Sequence, residues 1–413
     1  MEFIELTESQ YEAFVATHKY RNFLNAAAAF KMKKENGFMV VYVGVMEKGK
    51  IIAASGISLI PWKRFFTYAY CQRGFLLDYH DMVLFRFFHK HLIEFCKKYR
   101  VVYITCDPYV TYRERDGNGN PVAGGYCHEY IMTAFRQLGY IHQGFTTGFV
   151  PDQQVRWAFV LDLMGHDEES LLKQMDNQRR RCINKSLKQG IKVKELKIEE
   201  LHIFMKLMDY AAKTRCFTKL PKSYYEQRMR YLKDDAKAVV AYLDVNDYLE
   251  RMNTQLVKEE EALHRIESAL PENINPQKMQ KKRDMHIERI QTICKHKDNA
   301  LALQSKYGDT VMLAGAFYIR YEDSLVYLSA GAYDEFRTYN GSYAIHWYMM
   351  RYALHQGIRR YDFYGISGDF SAHAVDHGVF AFKKGFGGVV EEYVGVFEYP
   401  LRKHLYRLLK NSE

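Results

Sequence analysis

The sequence predicts an α/β protein made of two tandem units with the same order of strands and helices, and an antiparallel helical hairpin inserted in the second unit. One observation is an internal repeat, in which an apolar strand, a charged turn, a second strand, an amphipathic helix and a third strand occur twice. The other is a long helical stretch between the two copies that contains prolines near its middle. Two sheets, each with its own core, are therefore expected.

The two copies of the repeat match element by element. In the first copy the strands are expected at 51–60, 65–75 and 101–108, and the helix at 82–99. In the second copy the strands are expected at 311–319, 325–333 and 359–367, and the helix at 343–357. This is the core order of a GNAT-like N-acyltransferase unit, so two tandem GNAT-like domains are predicted, with ligands bound in clefts where strands splay apart.

Residues 246–304 are expected to form the helical hairpin, a coiled-coil arm. Its apolar residues have the spacing of a coiled-coil seam: Leu249, Met252, Leu256, Leu263, Ile266 and Leu270, then Met279, Ile287, Ile290 and Cys294. Pro271 and Pro276 should break the helix, so the chain folds back there. The arm is either a structural spur or a nucleic-acid-contacting or oligomerising element. Basic residues favour the second role: Lys278, Lys281, Lys282, Arg283 and Arg289.

Charge and composition indicate a folded protein with anionic partners. Lys and Arg outnumber Asp and Glu by 59 to 49, a formal net charge of +10, which favours nucleic acid, anionic lipid or phosphorylated small molecules. Acidic residues stand at the N-terminus where a secretory signal needs basic ones, and no stretch reaches the ~20 apolar residues of a membrane span, so a cytoplasmic location is expected. The seven cysteines form no CxxC pair, which argues against a disulfide framework or a zinc ribbon.

Metal binding is not expected. His373 and His377 have the spacing of a metal-binding helix, but the glutamate of an HExxH motif is missing and the segment is not an evident helix. The loop at 114–125 carries acids and glycines without the full set of ligands of a calcium loop.

Two local motifs and the inserted hairpin together resemble the FemABX family of peptidoglycan-bridge aminoacyl transferases. The motifs are the basic helix NQRRRCINKSLKQGIKV at 177–193 and the C-terminal segment FAFKKGFGGVVEEYVGVFEYPL at 380–401. The resemblance covers essentially the whole chain. It implies a first domain at 1–150 completed by a C-terminal helix at 397–413, a second domain at 151–396, and the arm inserted in the second domain.

The resemblance also implies the reaction. Family members move an amino acid, here Ala, Ser or Gly, from aminoacyl-tRNA to the stem-peptide amine of a cell-wall precursor. Because the aminoacyl ester is already activated, no cofactor is expected. The family pattern assigns Lys383 to charge stabilisation, with Phe382 and Lys384 beside it, and Asp107 as a candidate base, with substrate-assisted proton transfer as the alternative. The residues expected to contact tRNA are basic: Arg179, Arg180, Arg181, Lys185 and Lys282.

The acceptor side departs further from the family pattern. Lys34 is the residue that best fits the lysine that holds the precursor's diphosphate, with Lys33 as the neighbouring alternative, and the usual Gln-Ser and Trp are missing around it. Arg215 is the arginine candidate, because a planar guanidinium suits bidentate phosphate contact; a surface salt bridge is the alternative. Tyr327 is expected to line the peptide cleft.

The expected partners are aminoacyl-tRNA and a lipid-linked or nucleotide-linked precursor. The basic surface favours the lipid-linked one, met by peripheral contact with the inner membrane face, and a monomer or weak homo-oligomer is expected. Two rival functions remain. An acyl-CoA-dependent N-acetyltransferase needs a Q/R-x-x-G-x-G/A loop, which neither repeat contains. A non-catalytic RNA-binding protein would explain the charge but not the duplicated cleft.

Overall fold

The computed structural model describes residues 1–62, 65–151, 153–269 and 276–410. The strands are β1 (Glu2–Glu5), β2 (Met39–Glu47), β3 (Lys50–Trp62), β4 (Phe66–Cys71), β5 (Val101–Cys106), β6 (Thr111–Glu114), β7 (Ile141–His142), β8 (Trp157–Asp162), β9 (Lys192–Leu196), β10 (Ala236–Asp244), β11 (Thr310–Tyr321), β12 (Ser324–Ala332), β13 (Arg360–Ile366), β14 (Val389–Tyr393) and β15 (Phe397–Pro400). The helices are α1 (Glu8–Thr17), α2 (Ala27–Glu35), α3 (Met82–Lys98), α4 (Glu129–Gln137), α5 (Glu168–Gln174), α6 (Asn177–Lys188), α7 (Leu201–Arg215), α8 (Lys222–Leu232), α9 (Val245–Ala269), α10 (Pro276–Tyr307), α11 (Gly341–His355), α12 (His377–Lys384) and α13 (Lys403–Lys410). Within these ranges, no helix is both long and apolar enough to cross a membrane.

The first sheet has seven strands in the order β1-β2-β3-β4-β5-β15-β7. β3 and β4 are antiparallel, and α3 then crosses the sheet so that β5 runs parallel to β4. The carboxylate of Asp81 caps α3 by accepting hydrogen bonds from the backbone N–H groups of Val83 and Leu84. The apolar face of the helix buries Phe85 and Phe88 in the core of this sheet. This is the first copy of the predicted repeat.

The second sheet has eight strands in the order β6-β14-β8-β13-β12-β11-β10-β9. β11 and β12 are antiparallel, and α11 crosses the sheet so that β13 runs parallel to β12. Trp347, Met349 and Met350 of α11 pack in one core with Tyr361 and Phe363 of β13. The order is that of the first copy, and the predicted fold class of two tandem GNAT-like units is confirmed.

Each sheet contains one strand from the other end of the chain. β6 belongs by sequence to the predicted domain 1–150, yet it pairs with β14 in the second sheet. β15 lies between β5 and β7 of the first sheet. The prediction of a helix throughout 397–413 is therefore wrong at its start, because the backbone of β5 has an open edge there that a strand can satisfy and a helix cannot. Helix α13 follows and packs against β5.

Helices α9 and α10 occupy the predicted arm region and pack against each other. Pro276 is the first residue of α10, a position that tolerates proline because its missing N–H would have no partner in the helix. Pro271 lies outside the described residues. Ile293 is buried on the seam, whereas Cys294, which was predicted there, is exposed. The base of the arm joins the core of the second sheet through Tyr248 and other buried residues.

Candidate active site

Strands β12 and β13 separate part-way along the second sheet. They pair at three positions only, and β13 is then distorted at Tyr364, whose φ of 63° is rare for a residue with a side chain. Past the paired segment, the ring of His346 on α11 lies 4.5 Å from that of Tyr327 on β12 and 5.3 Å from that of Phe382 on α12. We call the region lined by these residues and Lys383 the second cleft.

Lys383 is buried at the end of α12, with 5% of its surface exposed. Its Nζ donates hydrogen bonds to the backbone carbonyls of Gly365, at 2.6 Å, and Tyr364, at 3.3 Å. Burial lowers the pKa of this amine to about 8, although Asp362 and Asp376 act in the opposite direction. The side chain is therefore still mostly protonated at neutral pH, and the structure places a positive charge inside the cleft.

Phe382 is half-buried in an aromatic cluster. Its ring lies 5.2 Å from that of Tyr343 and 5.3 Å from that of Phe386, in addition to the contact with His346. His346 is 1% exposed; its Nδ1 lies 2.8 Å from the hydroxyl of Tyr361, and burial lowers its pKa to about 3. The histidine is thus neutral at working pH. Nothing in the sequence marked it as part of the cleft.

Arg179 holds α12 in place and does not face solvent. Its Nε donates to the carbonyl of Phe382 at 3.3 Å, a terminal nitrogen donates to the carbonyl of Ala381, and the other donates to Asp176 at 3.1 Å. The side chain is buried. The prediction that Arg179 contacts tRNA is therefore corrected: its guanidinium is buried and caps carbonyls in the last turn of α12.

The other basic residues predicted to contact RNA lie on the surface. Arg180 is half-buried and donates to the side chain of Asn177. The remaining side chains are exposed: Arg181, Lys185, Lys282 and Lys384.

Asp107 is buried directly after the last residue of β5. Its carboxylate accepts hydrogen bonds from the backbone N–H of Arg73 at 2.8 Å and from the hydroxyl of Tyr70 at 3.1 Å. The guanidinium of Arg73 lies 3.9 Å away. Burial raises the pKa of Asp107 even though Arg73 and these hydrogen bonds lower it. We call the region lined by Asp107, Tyr70, Arg73 and Lys33 the first cleft.

The structure places Lys33, and not Lys34, in the first cleft. Lys33 Nζ donates to Ser58 Oγ at 3.1 Å, and burial lowers its pKa to about 8, opposed by the nearby carboxylate of Asp107. Lys34 points the other way, with its Nζ 3.8 Å from Glu8. The choice of Lys34 is therefore corrected. Successive residues of a helix point about 100° apart at ~3.6 residues per turn, so a slip of one residue moves the side chain off the cleft.

Arg215 lies at the end of α7, half-exposed, with its guanidinium 3.3 Å from Asp334. The surface salt bridge weighed as the alternative is thus present. The arginine is also close enough to Tyr327 to oppose the rise in the pKa of that hydroxyl, which burial causes. Arg215 and Tyr327 therefore lie near each other on one side of the second cleft.

A buried ionic network that was not predicted lies between the two clefts. Arg73 donates to the carbonyl of Val155 at 3.0 Å, and its guanidinium lies 5.2 Å from the ring centroid of Tyr393. Tyr393 donates to Glu391 at 2.8 Å, and Arg360 donates to the same carboxylate at 2.8 Å. The only signal in the sequence is the presence of charged residues inside apolar strands.

The FemAB family model matches residues 6–412. The chain belongs to the FemAB family. Its relatives in this family include Aminoacyltransferase FemA of Staphylococcus epidermidis, 34% identical over 99% of this chain and 98% of that protein. Aminoacyltransferase FemA of Staphylococcus aureus is 33% identical over 98% of this chain and 97% of that protein. A crystal structure of FemX has a TM-score of 0.82 at 23% identity, covers 99% of both chains and shows the same fold.

The FemAB-family assignment confirms the resemblance noted from the motifs, and it makes the protein an enzyme of the aminoacyltransferase type. The two clefts hold groups suited to acyl transfer. A buried ammonium such as that of Lys383 stabilises a developing oxyanion. A carboxylate with a raised pKa, such as that of Asp107, accepts a proton more readily than an ordinary one.

Proposed function

We propose that this enzyme transfers an amino acid from aminoacyl-tRNA to the stem-peptide amine of a peptidoglycan precursor. The observation that carries the proposal is the buried ammonium of Lys383 in the second cleft, which the ring of Phe382 also lines. Membership in the FemAB family supports an aminoacyl donor. The net charge of +10 supports a tRNA as the carrier of that donor.

In this reaction the acceptor amine attacks the ester carbonyl that joins the amino acid to the tRNA ribose. A C–N bond forms, the tetrahedral oxyanion collapses, the C–O bond to the ribose breaks, and the ribose oxygen takes up a proton. Lys383 stabilises the oxyanion by its charge. The proton of the amine goes either to Asp107 or directly to the leaving ribose oxygen. The terminal base of the tRNA stacks against the accessible side of Phe382, which contributes ~1–3 kcal/mol per stacked base.

The acceptor is held by cations on both clefts. Lys33, in place of Lys34, and Arg215 bind the diphosphate of the precursor, and Tyr327 lines the path of the stem peptide. The cations at the surface contact the tRNA: Arg180, Arg181, Lys185, Lys282 and Lys384. We further propose that the acceptor is lipid-linked, that the enzyme meets it at the inner face of the cell membrane, and that alanine, serine or glycine is transferred to build the interpeptide bridge.

A transfer assay tests the proposal. Purified enzyme is incubated with total tRNA charged with one radiolabelled amino acid at a time, and with either a lipid-linked or a nucleotide-linked precursor. We expect label in the lipid-linked precursor without added acyl-CoA, from alanyl-, seryl- or glycyl-tRNA. A parallel reaction with labelled acetyl-CoA serves as the control for the rival activity. Acetylation of the precursor without transfer from any charged tRNA would overturn the proposal.

A further inference from the structure

A cavity of about 370 Å³ opens at the base of the arm, away from both clefts. Helix α6 and the residue after it contribute Lys185 and Gln189, and α10 contributes Lys295, His296 and Asn299. Tyr339 closes one side. A volume of this size lies within the range of small-ligand sites, ~300–1,000 Å³.

The lining of this cavity is cationic. Among the described residues, Lys185, Lys295 and His296 form no ion pair, and no carboxylate lines the cavity. Other cations of the arm are paired: Arg283 lies 3.0 Å from Glu267. Two unpaired lysine ammonium groups with no acid among them favour an anionic ligand.

Uncharged polar side chains complete the lining of the cavity: Gln189, Thr292, Asn299 and Thr338. Their amide and hydroxyl groups can accept hydrogen bonds from a ligand. A ligand that carries both a phosphate for the lysines and O–H or N–H donors for these side chains would fit the lining. A nucleotide, with its phosphate, its ribose hydroxyl and its base, has this combination of groups.

Helix α6 connects this cavity to the second cleft. At its first turn Arg179 bonds to the carbonyls of Ala381 and Phe382, and its guanidinium lies 5.9 Å from the ring centroid of Phe382. Lys185 is six residues further along the same helix, ~9 Å at ~1.5 Å per residue. A stacked nucleic-acid strand advances ~3.4 Å per nucleotide. A strand whose last base lies at Phe382 would therefore place its third or fourth nucleotide beside Lys185.

We infer that the cavity at the base of the arm binds phosphate and ribose groups of the single-stranded 3′ end of the donor tRNA. The inference rests on the proposed function and names a subsite of the donor. The diphosphate of a nucleotide-linked acceptor has the same chemistry, and the position along α6 favours the donor strand. The subsite fixes the strand a few nucleotides before the reacting ester, which leaves the ester free to enter the second cleft.

The test is the double variant K185Q/K295Q. A matched control is K90Q/K97Q, which removes two exposed lysines from α3 in the first unit. Initial rates are measured against aminoacyl-tRNA concentration at several salt concentrations. In K185Q/K295Q we expect the donor KM to rise about tenfold, while kcat and the acceptor KM stay within about twofold of the wild type. The slope of log kcat/KM against log salt should become shallower by ~1.4, because each of the two lost phosphate contacts to a single strand contributes ~0.7. The control should match the wild type.

Two results would overturn the inference. One is a donor KM that is the same in K185Q/K295Q as in the wild type, when the wild type does transfer amino acids from tRNA. The other is a rise in the acceptor KM alone, which would assign the cavity to the acceptor. A binding measurement separates this inference from the proposed function: fluorescence polarisation of uncharged tRNA with and without its 3′-terminal CCA. We expect K185Q/K295Q to lose the added affinity that CCA gives. An equal loss for both RNAs contradicts a subsite for the 3′ end, whether or not transfer is observed.

Discussion

Lys33 and Lys383 both lie in surroundings that disfavour a charged amine. Lys383 donates to two backbone carbonyls, while Lys33 donates to Ser58 and lies 5.5 and 5.1 Å from the ring centroids of Phe30 and Tyr70. Burial lowers the pKa of each to about 8. An ionisable group with a strongly shifted pKa inside a cleft is a candidate for function more than for stability. The two lysines therefore mark the two halves of the candidate site.

Replacing Lys383 by methionine should remove activity with little change in substrate binding. Loss of one preorganised group at an oxyanion lowers kcat by about 100- to 1,000-fold. K90M is the control, because Lys90 is an exposed lysine of α3 that lies outside the proposed site, and its kcat should stay within about threefold of the wild type, since surface changes are small in effect. Single-turnover transfer rates measure both. A K383M enzyme with wild-type rate would exclude Lys383 from charge stabilisation.

The pKa of Lys383 also predicts how stability depends on pH. In the folded state the amine loses its proton near pH 8, whereas in the unfolded state it does so near its ordinary value of 10.5. Between these values the unfolded state binds more protons, so the folded state gains ~1.4 kcal/mol per pH unit from this group as pH rises. Relative to K383M, the free energy of unfolding of the wild type should increase between pH 8 and 9.5, as measured by urea denaturation. A constant difference would show that the amine is not buried.

Lys33 and Lys34 give a paired test of the acceptor side. K33M removes the amine that lies in the first cleft, and we expect the acceptor KM to rise about tenfold or more, the equivalent of ~1.4 kcal/mol. K34M removes an exposed amine beside Glu8, and its acceptor KM should stay within about twofold, because exposed ion pairs contribute ~0–1 kcal/mol. Steady-state kinetics with varied precursor distinguish the two. The reverse order of effects would restore Lys34 to the site.

At the scale of elements, the repeated strands and helices could be predicted because their own residues determine them. β11 and β12 are rich in apolar and aromatic residues, and α11 has a helical apolar period. β15 could not be predicted, because only pairing with β5 and β7 makes Phe397–Pro400 a strand. The sequence also did not show which face of α2 points into the first cleft. Three alanines at the start of this helix give no amphipathic pattern. Phe30, an aromatic residue three positions before Lys33, is the residue that could have indicated the buried face.

The arm should divide into a base that stabilises the fold and a distal part that does not. Tyr248, Met252 and Ile293 at the base are buried in the core of the second sheet. Replacing residues 257–289 by a short Gly/Ser linker keeps all of them, and we expect the Tm to fall by less than ~4 °C, equivalent to at most ~1 kcal/mol in a chain of this size. Replacing the whole of 246–307 exposes this core, and loss of each large buried side chain removes ~2–5 kcal/mol.

Differential scanning calorimetry measures both truncations of the arm. Equal loss of stability in the two would show that the distal helices also support the fold. Kinetics of the shorter truncation report on the exposed cations of the distal arm such as Lys282. With the cavity at its base intact, we expect a smaller rise in the donor KM than in K185Q/K295Q.

At the scale of the molecule, the two units of the repeat are tied together by exchanged strands and by buried charge. β6 of the N-terminal part completes the second sheet, and β15 of the C-terminal part completes the first. Arg73 and Arg360 lie between the clefts in the same network of tyrosines and carboxylates. Because neither sheet is complete without residues from the other half of the chain, we expect the two halves to unfold as one cooperative unit.

The variant F397A tests this cooperativity. Phe397 comes from the C-terminal segment, is 1% exposed in the first core, and has its ring centroid 4.1 Å from that of Phe135. Its loss should lower the free energy of unfolding by about 3–5 kcal/mol. If the halves unfold together, amide hydrogen exchange measured by mass spectrometry should accelerate by the same factor in β3–β5 and in β11–β13. L408A, at an exposed residue of α13, is the control and should leave both regions unchanged. Faster exchange in the first sheet alone would show that the exchanged strands hold the sheets together without coupling their stability.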